Sequence, residues 1–241
     1  MSNTRQRIDG QQCWILHSYP YSETSLILDV FSRDHGRLPL LARGARRPRS
    51  ALRGLLQAFQ PLELGWFGGG EVRTLARAEW VGGMPLLAGQ ALMLGYYVNE
   101  LLLKLLARED AHPQLFDAYA ASLQALAQGE AQEGRLRLFE KALLRELGYG
   151  LALERDAVSG EPVQAERRYQ YLIERGPVLA TADAEGRGCV VGKTLLDLAQ
   201  DDCSDSQTLS ESKGLMRMLI NHHLAGAALQ SRRVFIELQE L

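Results

Sequence analysis

The sequence has little cysteine and no long apolar run. Cys13, Cys189 and Cys203 are far apart and odd in number. That argues against a disulfide framework and for a reducing compartment. No window approaches the roughly 18 apolar residues that span a bilayer. The most apolar stretch, residues 84–107, is interrupted by Gln90, Asn99, Glu100 and Lys104. Residues 1–11 are polar and lack the apolar centre of a signal peptide. A cytoplasmic chain without a membrane partner is the expectation. No C-x-x-C pair is present, and His222 and His223 are adjacent, about 100° apart on a helix, so they do not converge on one ion. No G-x-S-x-G nucleophile turn appears. Triads with scattered members are invisible at this level, but no residue here is better explained by catalysis than by packing. A binding protein without metal or cofactor is favoured over an enzyme.

One absence is local. Between His35 and Leu62 there is no Asp or Glu, while Arg37, Arg43, Arg46, Arg47, Arg49 and Arg53 fall in that stretch. The chain as a whole carries a formal charge of -2. A concentrated guanidinium patch on a near-neutral protein suits phosphate, because each planar fork matches a pair of phosphate oxygens. A solvated surface loop is the competing reading. Charge is also uneven along the chain. Residues 1–80 hold 11 Lys/Arg against 7 Asp/Glu, and residues 81–241 hold 16 against 22. A basic module joined to an acidic one is implied.

What is present divides by period. In residues 11–80, short apolar segments alternate with turns: residues 13–17, 25–31, 37–42, 61–67 and 71–80 read as strands. Tyr19-Pro20-Tyr21-Ser22 reads as a turn, and Gly36 and Gly68-Gly69-Gly70 as reversals. Residues 52–59 read as a short helix or an irregular segment. Five short strands in about 70 residues fit a small closed barrel. The period then becomes helical. Pro85 opens a first helix, Pro113 a second, and residues 135–147 form a third, with Gly129 and Gly134 framing the break before it. Residues 156–184 are loop-like with a hairpin at 169–173 and 178–181. Helices resume near Thr194 and at 210–224, and Ser231 caps a last one ending at Leu241. The domains expected are 1–82, a barrel, and 83–241, mainly α-helical.

Gly192-Lys193-Thr194 invites a phosphate-loop reading. That motif needs glycine five residues before Gly192, where Arg187 stands. A turn and a helix start are the simpler account. Among the aromatics of the barrel region, Tyr19 and Tyr21 beside Pro20 are the candidates for exposure and base stacking; Phe31, Trp66 and Phe67 are assigned to the core. On the third helix, Leu136, Phe139, Leu143 and Leu147 form the buried stripe and Arg137 stands beside it. Arginine at the rim of an apolar groove suits an acidic peptide or terminal carboxylate. An ion pair with Glu133 or Glu140 is the alternative.

Residues 21–31 (Tyr-Ser-Glu-Thr-Ser-Leu-Ile-Leu-Asp-Val-Phe), then Gly36-Arg37 and Ala42-Arg43-Gly44-Ala45-Arg46, resemble the N-terminus of the RecO family of bacterial recombination and repair mediators. Gly70-Glu71-Val72-Arg73-Thr74-Leu75 resembles its last barrel strand, and Tyr97-Val98-Asn99-Glu100-Leu101-Leu102 its first long helix. Arg137-Leu138-Phe139-Glu140 through Leu147-Gly148-Tyr149-Gly150 resembles its central helix and exit. The resemblance covers residues 11–235. It implies a five-stranded OB-fold barrel followed by a mainly α-helical domain. It also implies binding of single- and double-stranded DNA, annealing of complementary strands, and, with RecR, loading of the recombinase on DNA coated by single-stranded DNA-binding protein (SSB). The nucleic-acid residues would be Arg37, Arg43, Arg46, Arg47, Arg49, Arg53, Tyr19 and Tyr21, and Arg137 would grip the acidic C-terminal tail of SSB. The protein would be cytoplasmic and associated with the nucleoid. A protein-interaction adaptor, or an RNA-binding barrel without annealing, is the alternative. The sequence departs from the family at a four-cysteine zinc site. Asp156 and Ser159 stand where the first pair would be, so a metal-free insertion near residues 150–190 is expected.

Overall fold

A computed structural model describes residues 7–129, 132–181, 186 and 188–239. Five strands form a closed barrel in the order β1-β2-β3-β5-β4: β1 Arg7–Tyr21, β2 Ser25–Ser32, β3 Gly36–Ala42, β4 Leu62–Phe67 and β5 Arg73–Trp80. Closure comes from a parallel contact of β3 with β5, pairing Leu40 with Arg73 and Leu41 with Thr74. The long β1 pairs with both β2 and β4, and register shifts between Ile8 and Gln11 and between Ile15 and His17 bend it to do so. Alternate residues fill the interior, as period two requires: Leu28 and Val30, Leu38, Leu40 and Ala42, Leu62, Leu64 and Trp66. The short α1, Leu52–Leu55, lies between β3 and β4 in the chain.

Contacts divide the chain into two compact units, residues 1–128 with 229–241, and residues 129–228. The division therefore differs from the change of period at Gly82-Gly83. Helices α2 (Gly89–Leu105) and α3 (Pro113–Gln128) pack on the barrel itself. The reason is that the outer face of β1 and β2 is apolar too. Trp14 meets Tyr119 edge-on at 5.6 Å and Phe31 meets Phe116 at 5.4 Å. Buried Asn99 donates to the Leu16 carbonyl (2.8 Å) and accepts from the Tyr119 hydroxyl (2.6 Å), so the polar groups trapped there are satisfied. The last helix, α7 (Gln230–Gln239), returns to this unit. The Glu100 carboxylate accepts from the backbone N–H groups of Gln230 and Ser231 and from the Ser231 hydroxyl, at 2.7–2.8 Å. Ser231 thus lies inside the helix, and the expected end at Leu241 falls outside the described residues.

The second unit holds α4 (Gln132–Glu146), α5 (Gly192–Ala199) and α6 (Ser206–His223) around a small antiparallel sheet. The sheet runs β7-β6-β8, with β6 Arg168–Leu172, β7 Gly176–Leu179 and β8 Cys189–Val191. Local details differ from the sequence expectation for identifiable reasons. Tyr19, Pro20 and Tyr21 belong to β1, paired with Ile27, Leu26 and Ser25, and the turn is Ser22 to Thr24. The first long helix begins at Gly89, not Pro85. Gly134 lies within α4, where a Cβ would come within 3.2 Å of Cys203, so a small residue suits the close packing there. Helix α6 begins four residues early because Asp205 caps it, accepting from the N–H groups of Gln207 and Thr208.

Candidate nucleic-acid interface

The arginine segment is a chain of turns anchored at several points. Ala45 is buried in the barrel core. The Arg46 N–H bonds to the Thr24 carbonyl (2.8 Å), its guanidinium reaches the Ser22 carbonyl (3.2 Å), and the Gly44 N–H meets the Ser25 hydroxyl. Backbone bonds from Arg47 to Gly44, Ser50 to Arg47 and Arg53 to Ser50 continue the path into α1. The segment is therefore tied to the β1–β2 turn, next to Tyr21. A freely moving loop does not describe it.

Arg43, Arg46, Arg47, Arg49 and Arg53 are all exposed, and among the described residues none of them is ion-paired. The other described arginines of the barrel are neutralised. Arg7 pairs with Asp9, Arg33 with Asp117, Arg73 with Glu109 and Arg77 with Glu79. Within the barrel strands and their connections, the described arginines without an ion pair are those of the anchored segment, which has no acidic residue of its own. Such a surface attracts a polyanion and releases its counterions.

Arg37 does not join that group. Its Nε and Nη2 donate to the Leu106 carbonyl at 3.3 and 3.0 Å, and its Nη1 lies 3.6 Å from the Asp29 carboxylate. Leu106 is the C-cap of α2, so Arg37 neutralises the negative end of a helix dipole. Burial pushes its pKa down despite Asp29. The sequence placed it in the patch because it is only six residues from Arg43; the structure makes it a clamp.

Tyr19 and Tyr21 are exposed at 45% and 51%, and their spacing puts both on the outer barrel face. They have different neighbours. Tyr21 directly precedes the turn that Arg46 grips. Tyr19 stacks edge-on with His17 at 4.3 Å and faces Asp29. Partial burial first, and then the Asp29 charge, raise its phenol above the ordinary value.

Arg137, in the second unit, is only 7% exposed. Its Nη1 and Nη2 each lie 3.0 Å from a carboxylate oxygen of Glu140, which is 1% exposed. This is a buried ion pair with one hydrogen bond, Nη2 to Oε1, not a rim position; Glu133 pairs with Lys213 instead. The Arg137 Nε has no acceptor among the described residues.

The remaining motifs are occupied by structure. A Cβ at Gly192 would lie 1.9 Å from the Gln164 carbonyl oxygen. The Gly192 and Lys193 N–H groups bond to the carbonyls of Arg167 and Ala165, and the Thr194 hydroxyl to Glu211. Those amides are already hydrogen-bonded within the protein; Arg187 lies outside the described residues. At Asp156 one oxygen accepts from the N–H groups of Val158 and Ser159 at 2.8 Å, and the other from Leu179 at 2.6 Å. These backbone donors hold its pKa down to about 2. Among the described residues, no group of three or more His, Cys, Asp or Glu side chains is placed to hold a metal ion, and no helix is long and apolar enough to cross a membrane.

Among the exposed aromatics that sequence reasoning passed over, Trp80 is the most exposed. It is 58% exposed at the end of β5. The signal was its place just before Val81-Gly82-Gly83, where the strand runs out of neighbours.

An OB-like barrel with an unpaired arginine segment, followed by a helical region, is the architecture of a nucleic-acid-handling protein. The model of the Recombination protein O N-terminal domain matches residues 9–84, and that of its C-terminal domain residues 87–233. The chain therefore belongs to the RecO family. Similar proteins include the DNA repair protein RecO of Aromatoleum aromaticum, 59% identical over 237 residues that make up 98% of this chain and 99% of that protein. The DNA repair protein RecO of Azoarcus sp. is 59% identical over 242 residues, with 98% and 99% covered. That of Dechloromonas aromatica is 57% identical over 242 residues, with 99% and 100% covered.

Proposed function

We propose that this chain is a DNA repair and recombination mediator of the RecF pathway, acting by binding rather than by covalent chemistry. A role in DNA repair and recombination follows from its family. The finer reading is that the barrel binds single- and double-stranded DNA through Arg43, Arg46, Arg47, Arg49 and Arg53, with Tyr21 beside them. Neutralising phosphate on two strands at once lowers their repulsion and favours annealing. Phosphate contact carries no sequence information, which suits action at any break. Five exposed guanidinium groups left unpaired on an anchored segment, while the other described barrel arginines are paired, is the observation that carries this reading.

The helical region is the proposed platform for RecR and for the acidic tail of SSB, in the cytoplasm beside the nucleoid. Arg137 is the proposed tail contact through its Nε, which is buried without an acceptor among the described residues. Its burial limits that contact to a terminal carboxylate.

The test is anisotropy of a labelled single-stranded oligonucleotide across a salt titration. Wild type is compared with a variant carrying alanine at 43, 46, 47 and 49. Each lost phosphate contact lowers the logarithmic salt slope by about 0.7. Equal affinity and slope for both proteins would remove the arginine segment from the reading.

A further inference from the structure

A cleft of about 510 Å³ opens beside the end of β5, lined by Leu55, Gln57, Gln60, Trp80, Met84 and Leu86, with Gly54 on its wall. Trp80 pairs with Leu62, and Ala78 with Leu64. Leu62 and Leu64 face the barrel core, so Trp80 continues the inward series at the end of the strand. There the interior has run out and the indole is exposed. Its orientation is nevertheless fixed. The indole Nε1–H donates to the Gln60 side-chain oxygen at 3.3 Å, and the Gln60 amide donates to the Met84 carbonyl at 3.2 Å. Gln60 itself is buried. An exposed tryptophan held by a buried glutamine is a preorganised flat surface.

The cleft adjoins the positive segment in the chain. Gly54 follows Arg53 in α1, and no acidic residue lies between His35 and Leu62. Glu79, next to Trp80, is held by Arg77 at 2.5 Å. We propose that this cleft receives one unstacked base of single-stranded DNA on Trp80 while Arg53 and its neighbours hold the flanking phosphates. The inference rests on the DNA-binding reading and deepens it. A duplex keeps its bases stacked and offers Trp80 nothing, so the cleft supplies a preference for single strands that the arginines alone lack.

Intrinsic fluorescence and anisotropy test it together. Trp14 and Trp66 are buried, at 5% and 0% exposure, so Trp80 is the exposed tryptophan of the three. Oligo(dT) quenches wild-type fluorescence and leaves Trp80→Phe unquenched, with most of its affinity retained. Trp80→Ala weakens single-strand binding about tenfold, within the range for one stacked base, and leaves duplex binding unchanged. An oligonucleotide of equal length with abasic sites binds wild type as weakly as the alanine variant. At Gly54, on the wall, a Cβ would meet no atom within 4 Å; Gly54→Leu, which narrows the cleft, reproduces the single-strand defect. Equal loss on duplex and single strand, or no loss at all, overturns the stacking site while leaving the arginine reading intact. Absence of any DNA binding by wild type overturns both.

Discussion

Arg37 and Arg137 show how burial changes what an arginine does. Sequence places both among the contact residues; Arg37 is spent inside the protein, while Arg137 is buried in its pair with Glu140 and keeps only its Nε without an acceptor among the described residues. Arg37→Ala is expected to cost about 1–3 kcal/mol, because the Leu106 carbonyl loses its charged donor. The salt slope of DNA binding should stay as in wild type, unlike the slope of the Arg43/Arg46/Arg47/Arg49 variant. Chemical denaturation alongside the anisotropy titration separates the two effects. Arg137→Ala removes the guanidinium that pairs with the buried Glu140 carboxylate, which costs about 3–5 kcal/mol. Glu140→Gln should cost less, since an amide oxygen still accepts from the guanidinium. Equal, negligible losses for both variants would mean that the pair is not held as it stands here.

At the scale of the element, the insertion between α4 and α5 is organised by one carboxylate. Asp156 ties its own turn to Leu179 at the end of β7. An aspartate ordinarily titrates near 3.8, and this one near 2. A depressed folded value means that its stabilisation is complete above the ordinary value and is lost as pH falls from there through about 2. Asp156→Ala should therefore destabilise this unit at neutral pH, by about 1–3 kcal/mol for amides left without an acceptor. It should also flatten the acid limb of the stability profile, measured by circular dichroism. An unchanged acid limb would assign the turn's stability to its backbone bonds alone. The barrel strands were legible in sequence because their apolar residues alternate with period two, as in Leu38, Leu40 and Ala42. The start of α6 was misplaced because its cap, Asp205, precedes the first apolar residue of the stripe.

For the whole molecule, the chain's last helix belongs to its first unit. Glu100 holds the start of α7 by three hydrogen bonds. Burial pushes the Glu100 acid up, but the Ser231 and Gln230 donors and Lys104 outweigh it and leave it below the ordinary range. All three tryptophans lie in this unit, so tryptophan fluorescence reports its unfolding alone. A chain ending at Ala228 should lower the fluorescence-detected transition, with the circular-dichroism signal of the second unit shifting less. A fluorescence transition at the wild-type position would show that α7 adds nothing to the barrel unit.

The sequence by itself determined the closed barrel, the later helices and the basic stretch without acids. Strand and helix periods and the spacing of like charges are local properties of the chain. It also carried the family, through motifs such as residues 21–31. Tertiary structure alone decided which arginines are free. Arg33 is neutralised by Asp117 and Arg73 by Glu109, and Arg37 is spent on a carbonyl 69 residues away. It likewise decided that Trp80 is exposed while Trp66 is not. Pairing and burial depend on which distant segments the fold brings together, and no local pattern encodes that.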